Sequence, residues 1–212
     1  MIITTRPFYL LFIKSLGIKR CCSTKYEPTY IPTTFFQKSV LSLGSSIGML
    51  LDPTRADMLS TLGEVTGHSA LQFMAEKIIQ NPEGQEILRE KPRINTKTVD
   101  ISFLQSLPED TLGKTYYNFL NVNNVTPDSR MDVQFIEDVE LAYIMQRYRE
   151  AHDLIHAILG QPTNMLGEVT VKWVEAFQTR LPMCLGGAIF GAVRLRPKQR
   201  HQYVTKKSTM GY

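Results

Sequence analysis

"ELAYIMQRYREAHDLIHAILGQPTNMLGE", residues 140–168, decides the fold. Leu141, Ile144, Met145, Tyr148, Ile155 and Leu159 recur at spacings of three, four and seven, the period of a helix with one apolar stripe. Asp138 is an N-cap type ahead of Glu140, and Gly160 with Pro162 ends the helix. If "GQPTN" turns the chain into an antiparallel return helix, the hairpin centres on Pro162. His156 lies six residues before that point and Glu168 six after, so the two positions face each other. His152 and His156 fall on or beside the stripe and point inward. One such histidine is ordinarily a hydrogen-bonded core residue. Two at i and i+4 on one face bring both imidazoles within reach of one ion. Asp153 sits ~100° round the helix from His152, able to ligate or to orient a histidine. Two histidines with two carboxylates suit zinc, and two with one carboxylate and open positions also suit ferrous iron. Four protein ligands close a site, whereas a carboxylate that stands back opens it to a substrate oxygen.

The rest of the chain is read around that hairpin. Its 212 residues suffice for a domain with a proper core. The net charge of +4 is unevenly placed. Residues 1–26 carry Arg6, Lys14, Lys19, Arg20 and Lys25 and no acid, and no acid follows Glu175. Residues 27–193 hold 13 basic and 20 acidic side chains, so the body is acidic and argues against a nucleic-acid surface. Cys21, Cys22 and Cys184 form neither a disulfide framework nor a CxxC pair, which points to a reducing compartment. Acid-free and basic, with Phe8, Leu11, Phe12 and Leu16 near helical spacing, residues 1–26 have the character of a mitochondrial presequence.

Most of the body reads as helix. Leu71, Met74, Ala75 and Ile78 lie on one face, closed by "NPEG" at 81–84. "SLPEDTLGKTYYNFLN" predicts another helix, with Pro108 near its first turn and Leu112, Tyr116 and Phe119 on one side. "KPRINTKTVDIS" is the candidate extended connector and "NVNNVTPDSR" a loop. Gly44/Gly48 and Gly187/Gly191 sit in apolar runs, 40–51 and 181–195, where small residues let helices approach closely. Length favours packed core helices for both runs; the other reading is a wall for a lipid chain or a face resting on a membrane. His68 reads as a surface or helix-entry residue, and His201 lies in the polar tail.

"HDLIH" followed by eleven residues and Glu168 matches the HDxxH-x11-E motif, and the chain resembles the Coq-four family of ubiquinone-biosynthesis proteins. "LGEVTGH", "NPEGQEIL", "KPRI" and "SLPEDTLGKTYYNFLNVNNVTPDSR" resemble the family's upstream segments in order, over roughly residues 33–195. The resemblance implies an all-α single domain at 27–195, with a metal-binding antiparallel helix hairpin and an apolar lipid channel. It implies zinc at His152, Asp153, His156 and Glu168. It also implies a peripheral protein on the matrix side of the mitochondrial inner membrane, partnered by other coenzyme Q biosynthesis proteins in a multi-subunit complex. The implied activity removes the C1 carboxylate of a polyprenylated 4-hydroxy-3-methoxybenzoate. Family members continue with further helices, whereas residues 196–212 read as a basic polar tail, so the chain looks like a shortened or alternatively terminated form.

That chemistry gives the polar residues roles. A hydroxyl para to C1 makes the ring electron-rich, and protonation at C1 with loss of carbon dioxide needs a placed acid, for which Asp153 is the candidate. A rival reading from another class is a non-catalytic lipid-binding organiser of the complex with a structural metal. An HD-type phosphohydrolase needs an aspartate downstream of the HD pair, and none follows Asp153.

Overall fold

The computed structural model describes residues 26–52 and 55–209. Among these the chain is all helical, with no strand. Ten α-helices follow in order: α1 Phe35–Leu51, α2 Ala56–Thr66, α3 His68–Ile79, α4 Pro82–Glu90, α5 Ile101–Ser106, α6 Leu112–Asn123, α7 Val139–Ile158, α8 Met165–Thr179, α9 Pro182–Val193 and α10 Pro197–Thr209. The presequence reading falls outside the described residues except at Tyr26, and Cys21 and Cys22 fall outside entirely.

Helix α7 is the axis. Asp138 caps it by accepting hydrogen bonds from the amides of Glu140 and Leu141. From Leu141 to Ala157 every residue is buried, so the helix is enclosed on all sides rather than along one stripe. Its N-terminal half packs Leu141, Ile144 and Met145 with Leu71 and Met74 of α3 and Leu181 and Met183 near α9. Its C-terminal half packs Leu154 and Ala157 with Leu104 of α5 and Tyr116 and Leu120 of α6. Tyr26 joins the first cluster, its ring edge-on to Tyr143 at 5.5 Å.

The price of enclosure is polar: Arg149 and Glu150 are buried and must be paired. Arg149 binds Glu64 of α2 at 2.6 Å, and Glu64 also accepts from the amides of Gln134 and Phe135. Glu150 binds Arg93 at 2.5 Å and accepts from the amide of Ile94 at 2.7 Å. These pairs pin the two irregular segments that flank α7.

Several local expectations shift. "NPEG" ends α3 and also starts α4, with Asn81 as N-cap and Pro82 in its first turn. Pro108 precedes α6 rather than entering it, because Thr111 takes the N-cap and its hydroxyl donates back to the Pro108 carbonyl. The expected connector at 91–102 is a turn over 91–100, held by Asn95 and Thr98 side chains, that runs into α5 at Ile101, not an extended run. His68 opens α3 and is exposed.

The apolar run at 40–51 is not a core helix. On α1 only Ser45 is buried, while Phe36, Val40, Leu43, Ile47 and Leu51 are exposed. The second run fits core packing better. Gly191 lets α9 lie against Val169 of α8, where a Cβ would stand 2.7 Å from Val169 Cγ2. Even so, Leu185, Ile189, Phe190 and Val193 of α9 face outward. The aperiodic tail also forms a helix, α10, whose Tyr203 hydroxyl accepts from Trp173 Nε1 at 2.7 Å.

Candidate metal centre

Three of the four residues singled out in the hairpin converge. His152 and His156 leave adjacent turns of α7, and Glu168 comes from the first turn of α8. The loop between them is tight: Gly160 takes φ 57°, a conformation glycine adopts without strain. Asn164 then caps α8 by accepting from the amides of Leu166 and Gly167. Gly167 has no room for a side chain, since a Cβ would lie 1.8 Å from the Pro162 carbonyl oxygen. Pairings of α7 with α8 run backward along one helix as they run forward along the other: His156 with Glu168, then Tyr148 with Lys172 and Glu175. The helices are antiparallel.

His152 Nε2 and His156 Nε2 are 3.2 Å apart. Glu168 places Oε2 3.4 Å from the first and Oε1 3.3 Å from the second. These ligand atoms all lie within 4.8 Å of one another. The other nitrogen of each ring shows what faces the gap. His156 Nδ1 is 3.1 Å from the Gln161 carbonyl oxygen, which only accepts, so Nδ1 carries the proton. His152 Nδ1 is 2.6 Å from Glu175 Oε1, and a carboxylate there likewise calls for a proton on Nδ1. Both Nε2 atoms therefore turn bare lone pairs toward one point that a carboxylate also faces. Such a cluster is satisfied by a proton or a cation in the gap, and the donor set suits a divalent metal. Phe119 stacks on His156 at 5.7 Å and shuts the back of the site.

The electrostatics are those of a gap that holds protons when no metal fills it. Burial alone would raise the Glu168 pKa, but His152 and His156, which donate to it from Nε2 when protonated, hold it well below the usual carboxylate range. Burial and Lys172 push the His152 pKa down, and Glu175 and Glu168 outweigh them, for a net rise.

Asp153 stands apart from this cluster. Its carboxylate is ion-paired with Arg130, from the loop ahead of α7. It nevertheless lines the same cavity, ~850 Å³ in volume, as His152, Glu168 and Arg130. That volume is in the range of small-molecule sites. Away from these polar groups the walls are Met49 and Leu50 of α1, Leu59 and Leu62 of α2, and Met183 and Phe190 of α9.

Glu175 and Lys172 were not expected at the site, and Tyr148 was read only as part of the apolar stripe, yet the three form the buried layer behind His152. Glu175 Oε2 accepts from Lys172 Nζ at 2.7 Å and from the Tyr148 hydroxyl at 2.8 Å. Burial would raise the Glu175 pKa, but Lys172 and His152 hold it well below the usual range. Burial pushes the neighbouring Cys184 thiol up to about 12, so it is an inert wall and not a nucleophile. The signal was present as periodicity: Glu168, Lys172 and Glu175 are spaced i, i+4, i+7 on one face of α8.

The family model for "Coenzyme Q (ubiquinone) biosynthesis protein Coq4" matches residues 27–210. The chain belongs to the Coq4 family. The match runs past Leu195 into α10, further than the sequence resemblance reached. A Bombyx mori relative, "Ubiquinone biosynthesis protein COQ4 homolog, mitochondrial", is 58% identical over 178 residues, 84% of this chain and 69% of the relative. The Drosophila grimshawi protein of the same description is 54% identical over 206 residues, 92% of this chain and 78% of that one. A crystal structure of a Nostoc punctiforme protein assigned to ubiquinone biosynthesis superposes with a TM-score of 0.58 at 20% identity, covering 80% of this chain and 79% of that one. That likeness shows the fold.

Proposed function

We propose that this Coq4-family chain is a zinc-dependent carboxy-lyase of ubiquinone biosynthesis. Its substrate is a 4-hydroxy-3-methoxy-5-polyprenylbenzoate, from which it removes the C1 carboxylate. The carrying observation is the convergence of His152 Nε2, His156 Nε2 and Glu168, with His152 and Glu168 lining a cavity that elsewhere presents Met49, Leu59, Leu62, Met183 and Phe190 among a few hydroxyl and basic side chains. A benzoate head and a prenyl tail have that same division.

His152, His156 and Glu168 would hold the metal, with Asp153 a further ligand if it turns from Arg130. Bound there, zinc supplies Lewis-acid polarisation of a carboxylate oxygen. The chain's own residues do the rest. Arg130 reaches the cavity from its pair with Asp153 and can grip the substrate carboxylate through its planar guanidinium. With Arg130 engaged, Asp153 is free to hold the proton that C1 requires. That proton forms the new C1–H bond, the bond from C1 to the carboxylate breaks, and its electron pair returns to the ring as carbon dioxide leaves. No oxidant is needed for this balance. The apolar walls keep water from the ring and orient it through its prenyl chain.

The reading places the chain in the mitochondrion, peripheral to the inner membrane on the matrix side and associated with other coenzyme Q biosynthesis proteins. Among the described residues no helix is long and apolar enough to cross a membrane. The outward apolar stripes of α1 and α9 flank the cavity, and Leu50 and Phe190 belong both to them and to its wall.

Incubating a defined prenylated benzoate with zinc-loaded and zinc-stripped protein tests the proposal. The expected outcome is metal-dependent release of carbon dioxide and a product bearing hydrogen at C1. Asp153→Asn should slow it by a factor on the order of a hundred, the range for a positioned acid. Unchanged turnover without metal would falsify the zinc dependence, and no carbon dioxide from either form would overturn the lyase reading. Retained turnover in Asp153→Asn would remove Asp153 as the acid, and no turnover in the wild type with partners still co-purifying would favour the organiser instead.

A further inference from the structure

We infer that Glu175 is the positioning residue of this centre: it locks His152 in the Nδ1–H tautomer and aims its Nε2 at the point shared with His156 and Glu168. The inference rests on the metal reading above. Glu175 is wholly inaccessible and is not in the lining of the cavity described above, so it stands behind His152 rather than beside a substrate there. Seven residues, two helical turns, separate it from Glu168, which puts both carboxylates on one face of α8 opposite α7.

Its two oxygens have different duties. Among the described residues Oε1 meets His152 Nδ1 alone, at 2.6 Å. Oε2 is occupied by Lys172 Nζ, the Tyr148 hydroxyl and, at 3.7 Å, the Cys184 thiol. Lys172 also donates to the Tyr148 hydroxyl at 3.2 Å, so the anchor is itself braced. With Oε2 held by three groups, the carboxylate cannot turn, and Oε1 is presented in one direction.

The two histidines are thus oriented by different devices. His156 uses a local one, the Gln161 carbonyl five residues on. His152 uses a charged one, supplied by the facing helix. A carboxylate behind an imidazole fixes its tautomer and strengthens it as a ligand. A core gains nothing from a buried Lys–Glu pair that an apolar pair of similar volume would not also give. Its location, in contact with a residue of the metal cluster, gives the pair a purpose.

Zinc affinity of the full chain, read by competition with a chromophoric chelator, and the visible absorption of its cobalt(II) form test this. Glu175→Gln should weaken zinc binding about 10–100-fold and alter the cobalt bands. That variant leaves Lys172 buried without its partner, so Lys172→Met/Glu175→Gln is measured beside it. This double change removes the ion pair whole. It should recover the melting temperature without recovering affinity. Glu175→Asp, which keeps the charge one methylene short, should restore part of the affinity. Wild-type affinity and an unchanged cobalt spectrum in the double variant would overturn the inference, reducing Glu175 to a counter-ion for Lys172. Tyr148→Phe removes a single hydroxyl from the anchor and should shift the cobalt bands in the same direction; no shift there, with normal affinity in Glu175→Gln, overturns it as well. A wild-type chain that bound neither ion would instead overturn the metal reading, and this inference with it.

Discussion

His156 has no exposed surface, and its Nε2 turns toward a second lone pair 3.2 Å away. Nothing in hydrophobic packing asks for that. Acceptors facing one another with no proton or cation between them would leave buried lone pairs unsatisfied at ~1–3 kcal/mol, so the gap between His152, His156 and Glu168 holds one or the other. His156→Ala should therefore abolish most zinc binding while α7 and α8 keep their helix content, because Leu154, Ile155 and Ala157 still pack the same stretch. The lost ring leaves a cavity against Phe119, with a cost of about 2–4 kcal/mol by comparison with other large-to-small core changes. Elemental analysis and circular dichroism on the purified variant decide it. Wild-type zinc content would remove His156 from the site.

At the scale of elements, the centre depends on how closely α8 returns on α7. Glu168 meets the histidines only because Gly167 lets the first turn of α8 sit on Pro162. Gly167→Ala drives a methyl group into backbone rather than into a side chain that can move aside. The expected loss is at least ~2 kcal/mol of stability, at the upper end of overpacking, together with weaker zinc binding as Glu168 is displaced. Gly191→Ala, by contrast, meets a single methyl of the Val169 side chain at 2.7 Å rather than backbone at 1.8 Å and should cost less, leaving zinc affinity intact. Denaturant melts with parallel zinc titrations compare the two.

The hairpin itself was legible from Asp138, Gly160, Pro162 and the stripe between, because capping and turn chemistry are local. The convergence of His152, His156 and Glu168 was legible too, since hairpin symmetry about Pro162 follows from spacing. Glu175 was not read, although its spacing from Glu168 was available. Its importance comes from which atom of His152 it touches, and periodicity carries no information on atoms. The pairing of Asp153 with Arg130 was equally hidden, because Arg130 lies in a loop whose path sequence pattern does not set.

On the scale of the whole molecule, the decisive asymmetry is where apolar surface remains. Core helices α3 and α7 bury their apolar residues except near their ends, at Ile79 and Val139, whereas α1 shows Phe36, Val40, Leu43 and Ile47 at i, i+4, i+7 and i+11, one continuous stripe. On the far side of the cavity α9 shows Leu185, Ile189, Phe190 and Val193. Contiguous exposed apolar surface of this kind marks a partner or a membrane. Exposed Arg194, Arg196, Lys198 and Arg200 follow directly on α9, and Arg194 ties it to α1 through the Leu50 carbonyl at 2.6 Å. An apolar stripe bordered by cations suits the headgroup region of an anionic bilayer, where each basic residue near the surface adds ~1 kcal/mol. A prenylated substrate held in such a bilayer could enter the cavity between Leu50 and Phe190 without crossing water. Replacing Leu43, Ile47 and Ile189 together by serine should then abolish flotation with cardiolipin-containing vesicles. None of the three is buried, so the melting temperature and zinc content should hold. Turnover of a short-chain, water-soluble analogue should survive in the triple variant, while turnover of the vesicle-borne long-chain substrate falls at least tenfold. Equal loss with both substrates would show that the stripes serve the fold, and undiminished flotation would move the membrane contact elsewhere on the molecule.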